Sequence, residues 1–190
     1  ESTSYNLDKI GVERAQQYNP HHHGFVCEDG ENRYTRALYG SHTDWRLETS
    51  DRPVFAAFDR AESWNFRFYL DYKGKTTQLD QASWCEARYQ GGRRSYLVRD
   101  DAWGGAQLRI TVLASFFQEG AVWQFAAEGF DGPATLTVKR CRIAGTKFNR
   151  DGDMGEDPRE HFEPAEGEPD LTVLSWAAGP ETYLYYEDNA

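Results

Sequence analysis

The chain has 190 residues, 31 of them acidic and 21 basic, for a net charge of −10. Nucleic acid and anionic membrane surfaces both reward clustered positive charge, so this balance argues against either as a partner. No apolar run approaches the roughly 18 residues of a helical membrane span, and the length suits a single domain that buries about 70% of its unfolded surface without metal or disulfide staples.

Aromatic residues make up 15% of the chain, and 17 glycines supply turns. Aromatic and β-branched side chains fit a pleated, half-buried surface, and a single Met with no long helix-forming run disfavours a bundle. In chain order, residues 3–18 hold the one plausible short helix, with Leu7 and Ile10 at approximate helical spacing and Pro20 beyond. From Gly24 onward the period is two. Trp64, Phe66, Phe68, Leu70 and Tyr72 alternate with Asn65, Arg67, Tyr69 and Asp71, which predicts a half-buried strand. The same alternation runs through 107–112, 122–127 and 134–139, with further strand-like runs at 33–40, 53–58, 82–90, 93–99, 171–177 and 182–186. Asp29-Gly30, Lys73-Gly74 and Gly91-Gly92 read as hairpin turns, and Asp131-Gly132-Pro133 and Gly179-Pro180 as breakers.

At least nine to ten strands without intervening helices predict an all-β fold. Two large antiparallel sheets packed face to face as a β-sandwich fit best. Residues 1–190 form one domain in this reading. The start at Glu1 and the end just after a strand-like run suggest a piece of a longer polypeptide. Residues 144–170 break the rhythm: they are rich in Gly, Pro and acidic residues and predict a long acidic loop, with Phe148, Met154 and Phe162 as apolar anchors for docking it.

Several strings taken together point to a family. Asn32-Arg33-Tyr34-Thr35-Arg36-Ala37-Leu38-Tyr39-Gly40 precedes Leu47-Glu48-Thr49-Ser50-Asp51-Arg52-Pro53-Val54-Phe55, and Phe148-Asn149-Arg150-Asp151-Gly152-Asp153-Met154-Gly155-Glu156-Asp157-Pro158 follows much later. Their order and spacing resemble domain-of-unknown-function family 4450 over roughly residues 17 to 187. The resemblance implies a β-sandwich placed before a six-hairpin barrel of glycosidase type, in large proteins exported by polysaccharide-degrading bacteria. It implies a periplasmic, cell-surface or extracellular location and a downstream catalytic domain as partner. No catalytic or ligand residue is assigned to this module in the family, so none is carried over.

His21-His22-His23 alternate in direction on an extended segment and cannot converge on one ion, so an exposed polar turn is the simpler reading, with His42 and His161 distant in sequence. Asn149, Asp151, Asp153, Asp157 and Glu160 occupy offsets 1, 3, 5, 9 and 12 of a calcium loop. Met154 stands where that loop needs Gly, and Pro158 disrupts the following turn, so a solvated acidic loop competes with calcium as the reading. Glu86, Glu119, Glu128, Asp100 and Asp101 are available for glycoside hydrolysis, but their spacing selects no pair. Trp103, in a loop-like stretch, is the best candidate for stacking on a ligand such as a sugar, while Trp64 and Trp123 fall on core faces. Arg36 within an apolar strand suggests a partly buried ion pair with Glu48 or Asp51. Cys27, Cys85 and Cys141 show no CxxC spacing and read as three small buried thiols.

The leading expectation is a non-catalytic accessory sandwich of an exported carbohydrate-processing protein. A glycan-binding module that takes polysaccharide is the alternative, and a stand-alone polysaccharide hydrolase or lyase the second. No cofactor is expected beyond the calcium reading.

Overall fold

A computed structural model describes residues 18–40, 45–58, 62–143 and 162–187. The expected helix over 3–18 therefore lies outside the described residues apart from Tyr18. The strands are β1 (Asn19–His21), β2 (Gly24–Glu28), β3 (Tyr34–Tyr39), β4 (Arg46–Ser50), β5 (Val54–Phe58), β6 (Ser63–Tyr72), β7 (Lys75–Gln78), β8 (Trp84–Gln90), β9 (Arg93–Arg99), β10 (Gln107–Ala114), β11 (Gly120–Glu128), β12 (Ala134–Arg142), β13 (Leu171–Ala177) and β14 (Thr182–Glu187). Single 3₁₀ turns at Leu79–Gln81 and Asp101–Trp103 interrupt them.

One sheet runs β1-β2-β8-β9-β10-β11-β14. The other runs β13-β12-β6-β5-β4-β3, and every neighbouring pair is antiparallel. β6 is ten residues long, so one of its edges serves two partners: β5 pairs with Ser63–Arg67 and β7 with Tyr69–Tyr72. The two inner faces pack into a single aromatic-rich core, the two-sheet sandwich that period-two patterning predicts. Trp123 of β11 meets Phe55, Phe66 and Phe68 of the facing sheet at centroid distances of 5.6, 5.7 and 6.0 Å.

Turn chemistry decides the hairpins. Lys73-Gly74 and Gly91-Gly92 each have positive φ at both residues, the geometry that suits a two-residue hairpin. Asp29-Gly30 does not close a hairpin. It begins the crossing from β2 in one sheet to β3 in the other, and a Cβ on Gly30 would lie 2.4 Å from that of Asp51, so only Gly fits there. The β1–β2 hairpin turns instead on His22-His23, with His22 at φ 51°.

β1, β2, β4 and β7 were not legible as strands. β7 is short and largely exposed, and β4 is polar yet buried on both faces. Its outward Glu48 takes the Arg46 guanidinium at 2.8 Å, and Thr49 donates to the Arg36 carbonyl at 2.7 Å. Those bonds let a polar strand sit inside a sheet.

A second, smaller core explains the burial of that outer face. Tyr34, Val54, Ala56, Phe58 and Ile143 form an apolar patch on the outside of the β6-containing sheet, and Phe162 closes it. Asn65 donates to the Phe162 carbonyl at 2.8 Å, Ala165 N–H donates to the Arg142 carbonyl at 3.1 Å, and Ile143 bridges to Pro164. Of the three expected anchors Phe162 docks as predicted, while Phe148 and Met154 lie outside the described residues.

Candidate interaction surface

The densest group of chemistry-bearing side chains is buried between the sheets. Arg94 points inward from β9, and its Nη2 donates to the Ser50 carbonyl at 2.7 Å and to the Tyr18 hydroxyl. The same Nη2 lies 3.6 Å from Asp51 Oδ1, and both side chains are 0% exposed. Tyr18 and Thr35 donate to Asp51, and Tyr96 donates to the Ser50 carbonyl at 2.7 Å. Ser50 bonds Asn32, whose amide donates to Asp80 at 3.0 Å. Arg52 extends the group by donating to the carbonyls of Gly30 and Ala82, each at 2.8 Å. Nearly all of these polar atoms are spent on bonds within the group, and Arg94 and Tyr96 make theirs across the sheets. The exception is Arg94 Nη1, which is buried without a hydrogen-bond partner among the described residues. The arrangement is a polar rivet joining β4 to β9. Burial holds the hydroxyls of Tyr18 and Tyr96 well above the usual phenol range, so both stay neutral donors.

Trp103 is not a surface platform: it ends the 3₁₀ turn before β10 and is 2% exposed, with its ring 5.6 Å from that of Phe130. A Trp folded inward by a short 3₁₀ turn has no face left for a ligand in this conformation, a distinction that a loop assignment alone does not make. The calcium candidates Asn149, Asp151, Asp153, Asp157 and Glu160 lie outside the described residues. His21, His22 and His23 form the exposed tip of the first hairpin, and no group of three or more metal-ligating side chains occurs among the described residues. The ion pair assigned to Arg36 forms elsewhere. Arg36 is exposed and lies 5.6 Å over the Tyr89 ring, whereas Glu48 pairs with Arg46 and Asp51 with Arg94. Glu48 finds its partner two residues away on its own strand, whereas the partner of Asp51 comes from the opposite sheet. The three cysteines are buried and unbridged, as read from their settings.

The carboxylates are not gathered into one site. Asp100 caps the 3₁₀ turn by accepting from Ala102 N–H at 2.9 Å, and Asp101 contacts Ser83. Glu86 accepts from Arg88 at 2.6 Å. Glu128 accepts from Gln107 at 2.7 Å and Arg109 at 2.9 Å, and those hydrogen bonds hold its carboxyl below the usual range. Glu86 and Glu128 share the outer face of one sheet but sit on β8 and β11, three strand spacings or about 14 Å apart along the hydrogen-bonding direction. That exceeds the separation a glycosidase pair uses.

The same face carries a groove that sequence reasoning missed. Register places Arg88, Ser95, Thr111, Gln124 and Tyr183 side by side across β8, β9, β10, β11 and β14. Ser95 and Thr111 are short. The neighbouring rows carry Glu86, Leu97 and Arg109 on one side and Arg93 and Leu113 on the other. A floor of small hydroxyls between rows of long side chains leaves a shallow groove of about 250 Å³ lined by Glu86, Arg88, Arg93, Ser95, Leu97, Arg109 and Thr111. The signal is present in the outward residues of two strands, Arg93-x-Ser95-x-Leu97 and Arg109-x-Thr111-x-Leu113. It becomes visible only once their pairing is known.

Further exposed apolar groups lie along β13 and β14 and at one hairpin tip. β13 and β14 are consecutive and each ends one sheet. Leu171, Val173 and Leu174 of β13 are exposed, as are Tyr183 and Tyr185 of β14. The β10–β11 hairpin tip presents Phe116 and Phe117, the latter 83% exposed, with their rings 5.0 Å apart.

Residues 62–168, more than half of the chain, match the family described as Domain of unknown function (DUF4450). No curated protein and no solved structure matches the chain. A two-sheet sandwich with this span of family similarity gives the assignment: the chain belongs to the DUF4450 family.

Proposed function

We propose that this domain is an accessory β-sandwich of an exported carbohydrate-processing protein, supporting a downstream catalytic domain rather than breaking glycosidic bonds itself. The observation that carries the reading is the side formed by β13 and β14, which end their sheets among the described residues. Unpaired sheet edges expose backbone donors and acceptors, and proteins usually blunt them with charge, Pro or a covering element. Here Leu171, Val173 and Leu174 lie exposed along β13, with Tyr183 and Tyr185 exposed along β14. Such a side gains free energy when another domain covers it. The resemblance to modules that precede a glycosidase-type barrel supports the nature of that neighbour.

The test assays the chain alone and joined to its downstream catalytic domain on a panel of polysaccharides. The chain alone releases no product, and Leu171→Asp with Val173→Asp lowers both the activity and the melting temperature of the joined protein. Product from the chain alone, or a joined protein indifferent to these substitutions, overturns the proposal.

A second reading, a glycan-binding module, is favoured by the groove across the outer face of β8–β10. The two roles are compatible, because the groove and the apolar edge strand β13 belong to different sheets.

A further inference from the structure

We infer that the groove over Ser95 and Thr111 binds a uronate-bearing oligosaccharide; the inference rests on the glycan-binding reading and names its ligand class. Three guanidinium groups line the groove against one carboxylate, in a chain whose net charge is −10. Glu86 is already engaged by Arg88 at 2.6 Å, and Arg109 by Glu128 at 2.9 Å. Arg93 is exposed and makes no hydrogen bond or ion pair among the described residues. It is the cation left over for a ligand. Arg presents a planar fork that meets a carboxylate with two parallel hydrogen bonds, so the complementary group is a carboxylate and not merely any polar surface.

The rest of the groove suits a sugar chain. The Ser95 and Thr111 hydroxyls on the floor donate and accept, which matches ring hydroxyls. The groove covers β8–β10, and beyond it the same row continues through Gln124 to Tyr183, four strand spacings or about 19 Å in all, enough for a short oligosaccharide lying across the strands. At its far end Tyr183 is 58% exposed, and its hydroxyl accepts from Gln124 at 3.1 Å and donates to Glu181. Those bonds fix the ring while leaving a face open for the C–H side of a sugar. Elsewhere the negative charge of the chain repels an acidic polymer, which concentrates the attraction in this groove.

The experiment is calorimetric titration of the 190-residue chain with hexagalacturonate, maltohexaose and sodium sulfate. Hexagalacturonate binds and weakens as salt rises, maltohexaose and sulfate give no comparable heat, and Arg93→Ala weakens binding about tenfold or more. Arg93 is exposed, so this variant keeps the wild-type near-ultraviolet circular dichroism. Thr111→Tyr, which fills the floor from the outer face, abolishes binding by a second route. No binding of hexagalacturonate, equal binding of maltohexaose or sulfate, or binding unchanged by Arg93→Ala overturns the inference. Such a result leaves the accessory role standing, because that role is decided separately by the β13 edge substitutions.

Discussion

Phe162 lies nearly parallel to Tyr34, with ring centroids 4.4 Å apart and planes inclined by 17°. The two residues are far apart in sequence, and their stack is the lid of the small core on the outer face of the β6-containing sheet. Phe58 meets the same Phe162 ring edge-on at 5.7 Å. Phe162→Ala removes the lid and leaves a cavity over Tyr34 and Val54, with an expected loss of about 3–5 kcal/mol in urea unfolding. Hydrogen exchange at the Ala165 amide, which donates to Arg142, should accelerate in parallel. A loss below about 1 kcal/mol would show that this segment contributes little to the fold.

How much of this was legible depends on the range of the interaction. Alternation in residues 64–72 predicts the strand and its core face, and Phe66, Phe68, Leu70 and Tyr72 are buried as that pattern requires. The same pattern assigns Asn65 to solvent, yet Asn65 is fully buried because Phe162 covers it from 97 residues away. Period-two reasoning sees one strand at a time and has no access to what lies on its outer face. The Arg94–Asp51 pair and the Ser95–Thr111 groove escaped for the same reason. Each joins residues whose proximity is set by sheet register or by sheet stacking, and neither is written in any local string.

The Arg94–Asp51 pair makes a sharp prediction. Both groups are fully buried, so removing one leaves the other charge without its partner in a poorly solvated site. Asp51→Ala is expected to cost about 3–5 kcal/mol in urea unfolding. Replacing both, as Asp51→Leu with Arg94→Met, should cost much less than the sum of the single changes, because no charge is then stranded. Additive losses would mean that the two side chains act independently.

The thiols give a prediction in pH. Burial pushes Cys27 from 9.0 to about 11 and Cys85 from 9.0 to about 12, so both remain protonated in the folded protein at neutral pH. A folded-state value above the unfolded one stabilises the protein below the unfolded value. That contribution is lost as pH rises from about 9 towards 11 and 12. Stability should therefore fall on the alkaline side of pH 9, with Tyr18 and Tyr96 adding to the decline because burial raises them too. Cys27→Ser with Cys85→Ser should flatten part of that slope in urea titrations. At pH 8 the native thiols should resist a disulfide reagent that labels the urea-unfolded chain, and rapid native labelling would contradict their burial.

Trp103 offers a test in which chemistry and volume separate. Its ring is buried against Phe130, and its Nε1–H is buried without a hydrogen-bond partner among the described residues. Trp103→Ala opens a large cavity and is expected to cost about 3–5 kcal/mol. Trp103→Phe keeps an aromatic ring in place and removes an unsatisfied donor, whose desolvation the fold otherwise bears. The Phe variant should therefore lose only about 1 kcal/mol despite the smaller ring. Thermal unfolding of the two variants distinguishes a packing role from a hydrogen-bonding one. Equal losses would indicate that the indole N–H has a partner in solution, such as an ordered water, and that the ring is held by more than its shape.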